Sequence, residues 1–196
     1  MAGHSKWANL PRREHVQARK RHQGAGPGSV LESVRYEGYG PGGAAVMVDC
    51  VTADRAYAAA RVRAAFMQHG GHLGAQGSVS YLFNTVGLLT YPPGIDQEQL
   101  MRVALEAGAE DVVPNADRSM EVLADPLEFD TVRAVLTHGG FRPATAQVTQ
   151  RAASSIELSG DSAERMMRLL VALEDLDEVR DVYSNVAISD EVLARL

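Results

Sequence analysis

A histidine pair and three glycine-rich stretches, one of them the helix stop Gly139-Gly140, are the parts of this sequence whose residue types and spacing could do chemistry. His69-Gly70-Gly71-His72 is the only close pair among six histidines. Two glycines between the rings work against a rigid ligand geometry, and no acid lies nearby in sequence to complete a zinc site. A histidine at a helix C-terminus, favoured by the helix dipole, is the preferred reading. Gly38 to Gly43 lacks the Gly-Lys-Ser/Thr ending of a phosphate loop and sits between two apolar runs, so it reads as a hairpin turn. Gly70 to Ser78 carries a weak G-x-x-G spacing, which reads as a helix cap followed by a tight crossing. Cys50 lies within an apolar run and reads as a buried small side chain. No serine stands in a G-x-S-x-G elbow. No catalytic residue, metal site or cofactor is assigned, and the chain is read as not an enzyme.

The charged residues are distributed unevenly. Residues 1–28 hold Lys6, Arg12, Arg13, Arg19, Lys20 and Arg21 against Glu14 alone, a charge of +5. The remaining 168 residues hold 13 basic and 24 acidic side chains, a charge of −11. A basic arm on an acidic body fits nucleic-acid contact, because phosphates attract Lys and Arg through counterion release. It equally fits a solvated tail, or an arm folded onto its own body. Trp7, next to Lys6, could stack on an exposed base or anchor on the body. The nucleic-acid-binding residues expected are therefore Lys6, Trp7, Arg12, Arg13, Arg19, Lys20 and Arg21. The acidic run Glu174, Asp175, Asp177, Glu178, Asp181 reads as a solvated face or a partner-binding patch.

Composition frames these sites. The chain has 196 residues, 45% apolar and 22% charged, as expected for one or two globular domains. Aromatic residues are 6%, so the core depends on Val, Leu, Ala and Met. A single cysteine excludes a disulfide framework within the chain. No apolar run approaches a membrane span, and the opening residues lack the apolar stretch of a signal peptide. A cytoplasmic setting is expected.

The elements that must position these residues follow from periodicity. Leu10-Pro11 and the run Gly24 to Ser29 break structure, so Arg12 to His22 is expected to stay disordered until an anion orders it. Val34 and Tyr36 begin a strand, Gly38 to Gly43 turns it, and Ala45 to Val51 returns. Asp54 opens a helix stopped by Gly70 and Gly71. The alternation Val79, Tyr81, Phe83 predicts a strand, and Val86 to Tyr91 another. Asp96 with Gln99 starts a helix with Leu100, Val103, Ala104 and Ala107 inward. Short strands follow at 111–113 and 119–123. Asp125-Pro126 starts a helix with Phe129, Val132 and Leu136 inward. A strand is expected from Phe141 to Val148. Asp161 with Glu164 is expected to cap a helix carrying Met166, Leu169, Leu170 and Leu173. A strand holds Val179, Val182 and Tyr183, and a short helix follows from Ser189.

From Val86 to Gln150 the order is strand, helix, strand, strand, helix, strand, the ferredoxin-like order. The expected fold class is α+β: two α+β domains, one ferredoxin-like and inserted in the other, preceded by a short basic arm. The expected boundaries are 1–28 for the arm, 29–85 plus 151–196 for the discontinuous domain, and 86–150 for the insert.

Several motifs also resemble a known family. MAGHSKWAN at 1–9, YEGYGPGG at 36–43, GGHLG at 70–74 and GSVSYLF at 77–83 are similar to segments of the YebC/PmpR family. So are EAGAEDVV at 106–113, MRLL at 167–170 with Glu174-Asp175, and ISDE at 188–191. The resemblance implies a three-domain fold, a helical bundle and two α+β domains with one inserted in the other. It implies a DNA-binding transcriptional regulator, with a ribosome-associated translation factor or translational activator contacting ribosomal RNA as the alternative. Only 26 residues separate Asn9 from Tyr36, so most of the family's helical bundle is missing and a basic stub remains. A third reading follows, an interaction module that has lost nucleic-acid binding. The partners expected are nucleic acid, DNA or ribosomal RNA, with a ribosome or another protein met through the acidic body, and no membrane.

Overall fold

The computed structural model describes residues 30–188. They form two compact units, Asn84–Arg151 and the flanking segments 30–83 and 152–188. The class is α+β, with two antiparallel-based sheets and four helices.

The discontinuous unit begins with strands β1 (Glu32–Tyr39) and β2 (Ala45–Thr52), paired antiparallel from Glu32–Thr52 to Tyr39–Ala45. A short 3-10 turn, Pro41–Gly43, joins them, with Gly42 and Gly43 at φ 71° and 79°. These are the left-handed conformations that the hairpin reading of Gly38 to Gly43 requires. Helix α1 (Arg55–Gln68) follows, and Asp54 caps it by accepting from the Ala56 and Tyr57 amides. The two-residue strand β3 (His72–Leu73) pairs with β1. Strand β9 (Val179–Ser184) pairs with β2, giving the sheet order β3-β1-β2-β9.

Period-two alternation divides β2 between two cores. Val46, Val48 and Cys50 face α1 and helix α4 (Gly160–Glu174), whose Met166, Leu169, Leu170 and Leu173 are fully buried. Ala45 and Met47 face the opposite side, where Val79 and Phe83 cover them. Strand β8 (Ile156–Leu158) pairs in parallel with β10 (Val186–Ile188), a two-stranded sheet that local periodicity did not predict.

The second unit runs β4 (Phe83–Tyr91), α2 (Gln97–Glu106), β5 (Asp111–Pro114), β6 (Met120–Ala124), α3 (Phe129–His138) and β7 (Thr145–Ala152). Its sheet order, β5-β6-β4-β7, is the ferredoxin-like arrangement. Leu89, Tyr91, Met120 and Val122 pack against Leu100, Ala104, Val132 and Leu136 of the two helices.

Four expectations change. Val79 to Phe83 is not a strand: Ser80–Leu82 is a 3-10 turn, and β4 runs unbroken from Phe83. Asp125 does not cap α3. It accepts from the Leu127 amide in a preceding turn, and the helix starts at Phe129. Asp161 lies in the first turn of α4 and pairs with Arg165, while Ser159 occupies the cap position. Finally, β7 begins at Thr145 rather than Phe141, because Phe141 turns into the core ahead of Pro143. The helix expected from Ser189 lies outside the described residues.

Two substitutions separate sterics from backbone preference. A Cβ on Gly38 would stand 2.5 Å from the His72 carbonyl oxygen, so Gly38→Ala is expected to cost about 1–3 kcal/mol through forced backbone movement. A Cβ on Gly43 meets nothing within 4 Å, so Gly43→Val is expected to cost about 1–3 kcal/mol, chiefly through φ. Urea unfolding checks both, and an unchanged midpoint for either removes that explanation.

Candidate nucleic-acid interface

A connected set of polar contacts is organised by β1. Alternation along Tyr36-Glu37-Gly38-Tyr39-Gly40 sends Tyr36 toward the helix-side core. Gly38 and Gly40 share that side, and a Cβ on either would meet Phe66 or Met166. Glu37 and Tyr39 point the other way, toward the loop that follows β3.

Glu37 is 3% exposed. One carboxylate oxygen accepts from the Gly77 amide at 2.9 Å, and the other from Val79 and Ser80 at 2.8 Å each. Its own carbonyl accepts from the Gly74 amide at 2.8 Å. Burial opposes ionisation, yet the three amide hydrogen bonds outweigh it and hold the carboxyl below its ordinary value. The loop from Gly74 to Ser80 is therefore built around an anion supplied by the chain itself. This resolves the reading of the G-x-x-G stretch: its amides hold Glu37 rather than an external phosphate. It also explains the 3-10 turn, since the amides of Val79 and Ser80 are taken by Glu37 while Leu82 donates to the Val79 carbonyl.

The pinned loop presents aromatic rings. Tyr39 donates its hydroxyl to the Ser78 carbonyl at 2.7 Å. Its ring lies 5.4 Å from the His72 ring, which stands opposite it in the β1–β3 ladder. Burial and the neighbouring Tyr81 hydroxyl raise the Tyr39 phenol above its ordinary value. Tyr81 is 72% exposed. The sequence reading placed Tyr81 in a strand and His72 in a loop, and so missed this grouping. One signal was present: no Asp or Glu occurs between Asp54 and Asp96 in an otherwise acidic body.

Lys6, Trp7, Arg12, Arg13, Arg19, Lys20 and Arg21 all lie outside the described residues. Within 30–188 there are twelve arginines, no lysine and twenty-two acidic residues. Eight of those arginines form ion pairs with the body's own carboxylates. Arg35 is bidentate on Asp49 at 2.6 and 2.8 Å. Asp49 stands directly opposite Asp181 on β9, which is paired with Arg180. Arg151 and Glu121 form a largely buried pair at 3.1 Å. Glu178, within the acidic run, pairs with Arg61. Cys50 is buried. His69 ends α1 and His72 stacks on Tyr39, and no cluster of three metal-ligating side chains occurs among the described residues. Among those residues no helix is long and apolar enough to cross a membrane.

A split sheet-and-helix unit carrying a ferredoxin-like insert, with the YEGYG strand clasping a glycine loop, defines the class as a two-part α+β protein. Residues 31–186 match the family model "TACO1/YebC second and third domain". A "probable transcriptional regulatory protein" of Coxiella burnetii is 48% identical over 186 residues, 95% of this chain and 76% of that one. Proteins of the same description from Nitrosococcus oceani and Aeromonas hydrophila are 46% and 49% identical, each with 96% of this chain and 76% of theirs aligned. The crystal structure of a conserved hypothetical protein, Aq1575 from Aquifex aeolicus, superposes with a TM-score of 0.77 at 38% identity. The match covers 96% of this chain and 78% of that one. The chain belongs to the YebC family.

The clasp has a measurable signature. Glu37→Ala leaves the Gly77, Val79 and Ser80 amides without their acceptor and is expected to cost about 2–4 kcal/mol. Because the folded carboxyl sits below its ordinary value of 4.5, its stabilisation is complete above that pH. It is lost as pH falls through the lower folded value. Glu37→Gln should therefore be less stable at neutral pH and lose part of its acid sensitivity. Parallel pH–stability curves for wild type and Glu37→Gln would contradict the clasp.

Proposed function

We propose that this chain is a non-enzymatic regulator of gene expression that acts on nucleic acid, of the DNA-binding transcriptional type. Segment 1–28 makes the phosphate contacts through Lys6, Arg12, Arg13, Arg19, Lys20 and Arg21, and Trp7 stacks or anchors beside them. The α+β body supplies shape and partner surfaces. The setting is cytoplasmic, where the nucleic acid of a bacterial relative resides.

The observation that carries this reading is where the sequence holds an excess of positive charge. In the body most arginines are neutralised by neighbouring carboxylates, and acids outnumber bases almost two to one. Segment 1–28 holds both lysines of the chain and six basic residues against one acid. The description shared by the family relatives supports the gene-regulatory role.

Electrophoretic shift or anisotropy titrations on duplex DNA and structured RNA test the reading. Reversing Arg12, Arg13, Arg19, Lys20 and Arg21 to Glu is expected to remove most of the affinity while leaving unfolding of the body unchanged. Six phosphate contacts limit the slope of log K against log salt to about −5 on duplex and about −4 on single strands. Full affinity after reversal would move the site onto the body. A marked loss of body stability would mean that the segment docks on the acidic surface, and the interaction-module reading would replace this one.

A further inference from the structure

We infer that the loop from His72 to Leu82 is a stacking platform for an unpaired nucleic-acid base, with Tyr81 as the ring that receives it. This rests on the nucleic-acid reading above and adds the chemical feature that the body recognises.

Three observations converge on it. First, Tyr81 exposes 72% of its surface although the turn that carries it is fixed. Val79 and Phe83 on either side are buried, and the Val79 and Ser80 amides are held by Glu37. A large ring kept in water on an immobilised backbone loses little entropy when it meets a partner. Second, the ring is not isolated. Tyr39 and His72 stack beside the same loop, and the Tyr81 hydroxyl lies near that of Tyr39. Gln76, exposed at the loop tip, offers an amide that can meet a base edge. Third, the local charge suits a polyanion. Residues Arg55 to Phe83 contain no carboxylate, and the acid beneath the loop, Glu37, is buried and fully engaged. A loop without carboxylates of its own adds nothing to the repulsion that an acidic body exerts on phosphates.

Stacking needs an exposed π-face, which paired bases inside a duplex do not present. The ligand is therefore a single-stranded stretch, either RNA or an opened DNA strand. A platform of this kind adds discrimination that six phosphate contacts alone lack.

The test uses the full chain with three fluorescent probes of one mixed sequence: single-stranded RNA, single-stranded DNA and duplex DNA. Tyr81→Ala is expected to weaken single-strand binding by about 5- to 100-fold, the range for one base lost from one ring. Its unfolding midpoint and its salt slope should match wild type, because an exposed neutral ring is removed. Tyr81→Phe should keep the affinity, and duplex binding should change less than two-fold. A loss confined to the RNA probe names RNA as the source, and one confined to the DNA strand names opened DNA. Wild-type affinity for single strands in Tyr81→Ala overturns the inference. So does a loss in Tyr81→Phe equal to that in Tyr81→Ala, or an equal loss on duplex. If charge reversal in segment 1–28 abolishes binding while Tyr81→Ala does not, the functional reading stands and this inference falls. If the wild-type chain binds none of the probes, both fall.

Discussion

One buried carboxylate sets the geometry on which the rest of the discontinuous unit depends. A Glu side chain at 3% exposure would ordinarily be costly, and three short amide hydrogen bonds make it tolerable. Those amides belong to residues forty or more positions away, so Glu37 ties the first strand to a loop that precedes the second unit. The loop in turn lays Val79 and Phe83 over Ala45 and Met47. Without it the outer face of β2 would expose two apolar side chains that are now fully buried. The alternating glycines complete the device. Gly38 and Gly40 leave room for Phe66 and Met166 on the face of β1 opposite the clasp.

Charge is divided unevenly between the described body and the basic residues of segment 1–28. The body's arginines are largely paired, often across strands, as in the ladder that joins Arg35, Asp49, Asp181 and Arg180. Two aspartates opposite one another in neighbouring strands would repel, and the flanking guanidinium groups offset this. Such pairs contribute little net affinity for an external anion, because each guanidinium would have to leave its carboxylate.

The insertion of the ferredoxin-like unit has a simple geometric basis. Its first and last strands, β4 and β7, are neighbours in one sheet, so the chain leaves and re-enters at adjacent points. In the discontinuous unit the same junction is closed by the Ala153 amide donating to the Leu82 carbonyl at 2.8 Å. An inserted unit with adjacent ends interrupts its host at small entropic cost.

The sequence by itself determined the elements whose signals are local. Asp54 and Asp96 cap their helices as their spacing predicts, because a cap acts over two or three residues. The apolar stripes of α3 and α4 are buried as their periodicity requires, that of α2 is buried at Leu100 and Ala104 and half-buried at Val103 and Ala107, and the ferredoxin-like strand order follows from the element order. The tertiary structure decided everything that needed a distant partner. The alternation Val79, Tyr81, Phe83 satisfies a strand pattern, yet Glu37 takes the amides that a strand ladder would use, and Tyr81 turns outward. The parallel pair β8–β10 joins segments about thirty residues apart, and neither is long enough to declare itself. Asp161 looked like a cap but found Arg165 one turn along. The glycine loop's role was open in sequence because phosphate and carboxylate make the same demand on backbone amides. Only the fold shows that the anion comes from β1.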